Sequence, residues 1–192
     1  MDALLFDPET HRYSIGGRNL PSVTTVLKGT GIIDTSGPWF TPYHRDKGKA
    51  IHAACEYLDG NSLDWSTVDE RIIGYVRAWQ SFLLESGSQI LNVERQLYSP
   101  DYGFAGTVDR VLNWRGARTV VDIKTGGAEK WHRLQTAAYQ ILDGYATARA
   151  CVHVREDGKF RVELHPMKDA ATDRARFLAA LTTYNAMSGA AA

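Results

Sequence analysis

Along the chain the apolar positions change spacing several times, and each change marks an element. Alternation predicts a strand; a stripe at i, i+3, i+4 and i+7 predicts a helix. RYSIGGRNL reads as a hairpin turning on Gly16-Gly17. Pro21 and Ser22 open a short helical stretch through Leu27. Residues 29 to 42, rich in Gly, Pro, Ser and Thr, read as a loop. Ile51, Ala54, Cys55 and Leu58 form the stripe of a helix from about 45 to 58. Thr67-x-x-Glu70 has the form of a capping box. It introduces a helix with Val68, Ile72, Tyr75, Val76, Trp79, Phe82 and Leu83 on one face, stopped by Gly87. Strands are expected at about 90 to 98, 104 to 114 and 118 to 125. A helix at about 130 to 142 has Leu134, Ala137, Ala138 and Ile141 as its stripe. Strands at about 148 to 155 and 159 to 165 flank the turn signal Asp157-Gly158, and an amphipathic helix at 169 to 187 follows. This order predicts an α/β fold, a mixed central sheet flanked by helices.

The composition adds limits. A length of 192 residues suits one domain with a sizeable core. The expected division is an N-terminal hairpin and loop, 1–44, and a core, 45–188. No apolar run reaches the roughly 18 residues of a membrane helix. MDALLFDPETHRY has early acids and no apolar run behind a basic start, so it is unlike a secretion signal. Two cysteines, Cys55 and Cys151, both at core-like positions, are too few for a zinc ribbon or an iron–sulfur cluster. They read as buried thiols in a reducing, cytoplasmic setting. Twenty-two Lys and Arg balance 22 Asp and Glu, so any basic surface must be local. One candidate is residues 110 to 133, where six Lys and Arg accompany two acids.

The chemistry concentrates in VVDIKTGG, residues 120 to 127. Asp122 and Lys124, two apart on a strand, share one face of an otherwise apolar run. Alone they read as a plain ion pair. The preceding strand carries Asp109. If Arg115-Gly116 is a two-residue turn, paired positions sum to 231 and Asp109 stands opposite Asp122. Two carboxylates that close raise a pKa unless a cation lies between them, and an oxygen-rich pair suits Mg²⁺. His52 lies beside the apolar stripe of its helix, free to face a cleft, with Glu56 one turn further on. Gln135 and Tyr139, four apart, share a helix flank that begins near Lys130 and Arg133. Trp131 and Tyr139 offer faces for base stacking. Glu94, at the start of a strand, either serves a second ion or holds a basic neighbour. Trp39 and Phe40 either pack in the core or touch DNA.

The pattern resembles the PD-(D/E)XK nuclease superfamily, with Asp109 as its first acid and Asp122-Ile123-Lys124 as (D/E)XK. KGKAIH, GFAGTVDRV and QTAAY resemble, in order, motifs of its RecB-like exonuclease branch, and HRYSIGGRNLPSVTTVL resembles the N-terminal hairpin and turn of phage-type members. The resemblance spans residues 11 to 180. It implies a restriction-endonuclease-like core. It also implies Mg²⁺, replaceable by Mn²⁺, held by His52, Asp109, Asp122 and the Ile123 carbonyl. Lys124 would orient or activate the attacking water, and Gln135, Tyr139 and Lys47, which stands where the branch has arginine, would serve DNA. The implied activity is a metal-dependent DNA exonuclease of phage-type processing or recombination, partnered by DNA and by a recombination or single-strand-binding protein. Two rivals are a nuclease-fold DNA-binding or assembly module without turnover, and a nuclease acting on RNA.

Overall fold

A computed structural model describes residues 2–34, 36–37 and 41–189. Trp39 and Phe40 lie outside the described residues. Three short strands, β1 (Leu4–Asp7), β2 (Arg12–Ile15) and β3 (Arg18–Leu20), form an antiparallel meander. The expected hairpin is its second half. β1 is an addition: four residues before a DPET turn are too short to show a period. Ser22 caps α1 (Val23–Gly29) by accepting the Thr25 amide. The helix α2 (Pro42–Asp59) starts earlier than its apolar stripe, because Thr41 caps it and Pro42 fits its first turn.

The helix α3 (Glu70–Ser86) departs from the capping-box expectation. Asp69 caps it, bonding the Arg71 amide, whereas Thr67 belongs to a separate 3₁₀ turn and Val68 lies outside the helix. Gly74 sits in that helix against the backbone of Glu156, where an added Cβ would stand 1.8 Å from the carbonyl oxygen.

The central sheet contains β4 (Gln89–Ser99), β5 (Phe104–Trp114), β6 (Ala117–Lys124), β7 (Ala148–Val154) and β8 (Phe160–Leu164), in that order. Only β6 and β7 run parallel, linked by α4 (His132–Asp143); α5 (Ala170–Gly189) ends the fold. One face of the sheet packs Val111 and Val120 against α1, α4 and α5 through Val26, Ala138 and Phe177. The other packs Leu112, Val121 and Ile123 against α2 and α3 through Ile51, Trp79 and Phe82. A sheet covered on both faces explains the near-continuous apolar runs of β5, β6 and β7. Both cysteines are buried, and burial raises both thiols, Cys55 to about 12. Among the described residues no helix is long and apolar enough to cross a membrane.

Two irregularities position the site. Arg115 and Gly116 turn β5 into β6 with φ of 53° and 75°, the left-handed pair of a tight hairpin. Pairing runs from Trp114↔Ala117 to Arg110↔Val121, the register summing to 231, and stops there. Beyond it, the Asp109 carboxylate accepts the Ile123 amide at 3.0 Å. On the other flank of β5, pairing with β4 passes from Val93↔Arg110 to Arg95↔Val108. Between those pairs Glu94 adopts φ of 43°, uncommon for a residue with a side chain.

Candidate active site

The alternation of β6 places Val121 and Ile123 in one core and turns Asp122 and Lys124 to the opposite face, toward α4. Asp122 is 1% exposed. Burial raises its carboxyl to about 6, with Asp109 adding to the rise against the opposing Lys124 ammonium. Lys124 Nζ lies 2.5 Å from Asp122 Oδ2 and donates to Gln135 Oε1 at 2.7 Å. Gln135 in turn donates to the Tyr139 hydroxyl at 2.9 Å. Burial opposes the lysine's charge, but Asp122, with Cys151 and Asp109 adding to it, overrides burial, and the Lys124 pKa moves up. The Trp131 ring lies 4.8 Å from Nζ and screens it further.

His52 reaches this strand from α2. Its Nε2 is 3.1 Å from the Ile123 carbonyl, and its Nδ1 is 3.4 Å from Asp109 Oδ2 and 3.7 Å from Glu94 Oε1. Burial lowers the imidazole's pKa, but Asp109 and Glu94 together override it and the net direction is up. His52, Glu94 and Asp109 each offer a ligand atom within 4.8 Å of the others. Donors and charges suit a hard divalent ion: two acids and an imidazole converge beside a backbone carbonyl, with a third, buried acid next to them.

A buried ion-pair chain holds this group. Arg110, fully buried, bonds Asp59 on α2 through Nε and Glu94 through Nη1 at 2.8 Å. Asp59 also accepts the Trp79 indole N–H at 2.8 Å. Burial raises the Asp59 carboxyl despite the guanidinium. Sequence reasoning assigned no role to Asp59 and counted Arg110 only within a basic stretch; the signal available was the charged neighbour of Asp109 inside an apolar strand. Of its two expected parts, Glu94 takes that of holding a basic neighbour, Arg110, and it also faces His52.

The expected positive wall at residues 110 to 133 is a correction. Arg110 is neutralised by Asp59 and Glu94, Arg118 by Asp143, and Lys124 by Asp122. Arg133 is held by Asp169 and Asp173 at 2.8 and 3.1 Å, so it is not a free contact for DNA. Lys130 is exposed but lines neither cleft at the site. Those clefts, of about 730 and 830 Å³, share His52, Lys124 and Trp131. Glu56 is exposed in the first. Lys47 lines the second, bonded to the Tyr75 hydroxyl at 3.1 Å and set over its ring.

A second cluster, His132, His153 and Glu163, forms where β7 and β8 pass behind Lys124. Burial takes His132 down to about 3, so it is neutral. Its Nδ1 accepts the Glu129 amide at 3.2 Å. His153 spans the Gly126 carbonyl at 2.9 Å and Glu163 at 3.0 Å, tying the turn that follows Lys124 to the sheet.

The alkaline exonuclease LHK-Exo from Laribacter hongkongensis is similar at 14% identity and TM-score 0.43, covering 88% of this chain and 92% of that one. The LHK-Exo structure in complex with dAMP is similar at 13% identity and TM-score 0.43, covering 90% and 95%. No curated protein matches the chain. The model of the PD-(D/E)XK nuclease superfamily matches residues 41–183, which run from the cap of α2 into α5 and contain every residue of the cluster around Lys124. The chain belongs to the PD-(D/E)XK nuclease superfamily.

Proposed function

We propose that the protein is a metal-dependent deoxyribonuclease, acting as an exonuclease in phage-type DNA processing or recombination in the cytoplasm. The observation that carries this reading is the meeting of His52, Asp109 and the Ile123 carbonyl, with Asp122 the next residue on that strand and paired to the ammonium of Lys124. Those four groups would hold Mg²⁺ or Mn²⁺, with Glu94 at their edge. Bound there, the ion would act as a Lewis acid toward phosphate and lower the pKa of water. The rest falls to the chain. Lys124 donates to the attacking water or to a phosphate oxygen, stabilising the charge that develops in the transition state. Gln135, anchored by Tyr139, keeps the lysine at its post. Both therefore act through Lys124 as positioning residues, which refines the expectation that they hold DNA. Lys47 remains a candidate DNA contact in the second cleft.

The preference for chain ends rests on the resemblance of the motifs, and the involvement of a recombination or single-strand-binding partner rests there too. The test is a time course on linear DNA labelled at either end and on closed circles, with Mg²⁺, Mn²⁺ or EDTA. Metal-dependent loss of the linear label with circles intact supports an exonuclease. Nicked circles would replace it with an endonuclease, and no release with either metal would refute the nuclease reading.

A further inference from the structure

The first cleft has two unlike walls. One is a stripe of α2, where Arg45, Lys49 and His52 follow at helical spacing. Arg45 has only its neighbour Asp46 as an ion-pair partner among the described residues, and Lys49 has none there. These two cations lead toward the site. The opposite wall is the N-terminal meander, which presents rings. Phe6 and His11 meet edge to face at 5.1 Å, and Phe6 and Tyr13 lie 4.8 Å apart. Tyr13 is buried and bonds Thr107 at 2.7 Å, and Ala105 donates to the Pro21 carbonyl at 3.0 Å. Both contacts fasten the meander to β5, the strand of Asp109. His11 is exposed at a turn with φ of 53°. Partial enclosure of its ring in the cleft, then Lys49 and Lys28, lower its pKa.

We infer that this cleft is a subsite for unpaired nucleotides of single-stranded DNA, with phosphates along Arg45 and Lys49 and bases against Phe6 and His11. The inference rests on the deoxyribonuclease reading and names its substrate form. A groove with cations on one side and rings on the other is the pattern that binds single strands, because base faces are free to stack. In a duplex those faces are occupied. The cleft, of about 730 Å³, is in the size range of pockets that take small ligands. The ring wall ends near Thr107, two residues before Asp109, so a strand lying along it runs into the catalytic cluster.

The test is fluorescence anisotropy of the full chain in EDTA, so that nothing is cleaved, with a labelled single-stranded oligonucleotide and a hairpin-closed duplex. The variant Phe6→Leu/His11→Asn removes both rings while keeping apolar bulk at one position and a residue tolerant of left-handed φ at the other. Wild type should prefer the single strand by about tenfold or more, and the variant should lose about tenfold on the single strand and little on the duplex. An oligonucleotide series with one abasic site should contain a position that weakens wild-type binding similarly and weakens the variant no further, since the base and the rings form one interaction. Equal affinity for both DNAs, equal losses on both, or a flat abasic series overturns the inference. Nucleotide release with Mg²⁺ is measured on the same preparation. Cleavage without strand preference sinks the subsite alone; strand preference without cleavage sinks the nuclease reading and leaves the subsite standing.

Discussion

Asp122 carries a prediction that joins proton, metal and stability. Its carboxyl is raised from 3.8 to about 6, chiefly by burial. A raised acid pKa means that the folded protein holds this proton more tightly than the unfolded chain. The associated stability is present at low pH and is lost as pH rises from about 4 to about 6, at most about 3 kcal/mol from this group. A metal ion opposes that slope, because it binds the ionised form. At about pH 5 only about one-tenth of Asp122 is ionised, so metal affinity falls about tenfold, equivalent to about 1.4 kcal/mol at saturating metal. In a chain of this size that corresponds to roughly 3–6 °C of melting temperature. His52, also raised, acts in the same direction, since a protonated imidazole is no ligand. The assay is thermal denaturation with and without saturating MgCl₂, at about pH 5 and about pH 7.5. The increment from metal should be several degrees smaller at the lower pH, and absent at both in Asp122→Ala. Equal increments at both values would refute the coupling of Asp122 to metal.

Three further predictions test other links. Lys124→Ala should lower nucleotide release about a hundredfold or more while keeping the metal-induced rise in melting temperature; near-normal release would remove the ammonium from the mechanism. Asp59→Ala leaves Arg110 buried against Glu94 alone and should cost about 3–5 kcal/mol in urea denaturation; a loss under about 1 kcal/mol would show that the pair does not anchor the site. Gly74→Ala drives a methyl into the Glu156 carbonyl and should cost about 1–3 kcal/mol in the same measurement; an unchanged midpoint would mean that α3 and the β7–β8 turn are not in contact.

Local pattern made the sheet legible. β5 begins and ends where its apolar run does, and Arg115-Gly116 disclosed the turn and the register that carry Asp109 toward Asp122. The same arithmetic could not show that the ladder ends at Arg110, because that depends on Asp109 taking the Ile123 amide with its side chain. Charge was read least well. Arg110, Arg118 and Arg133 look like a basic wall in sequence, but their acids, Asp59, Asp143 and Asp173, stand on helices that only the fold brings near. The cations that line the cleft, Arg45 and Lys49, sit instead on the histidine helix, where apolar spacing says nothing of what faces them. The ring wall of Phe6 and His11 escaped notice for a similar reason: β1 is four residues long, and its partner in the cleft is a helix about 40 residues away.

The most direct test of the central claim is release of acid-soluble nucleotides from linear DNA by wild type and by Asp109→Ala, each with Mg²⁺, with Mn²⁺ and with EDTA. The account predicts release by wild type with either metal, none in EDTA, and none by Asp109→Ala with Mg²⁺. Release that persists in EDTA, or in the variant at the wild-type rate, would contradict a metal centre built on Asp109, Asp122 and His52.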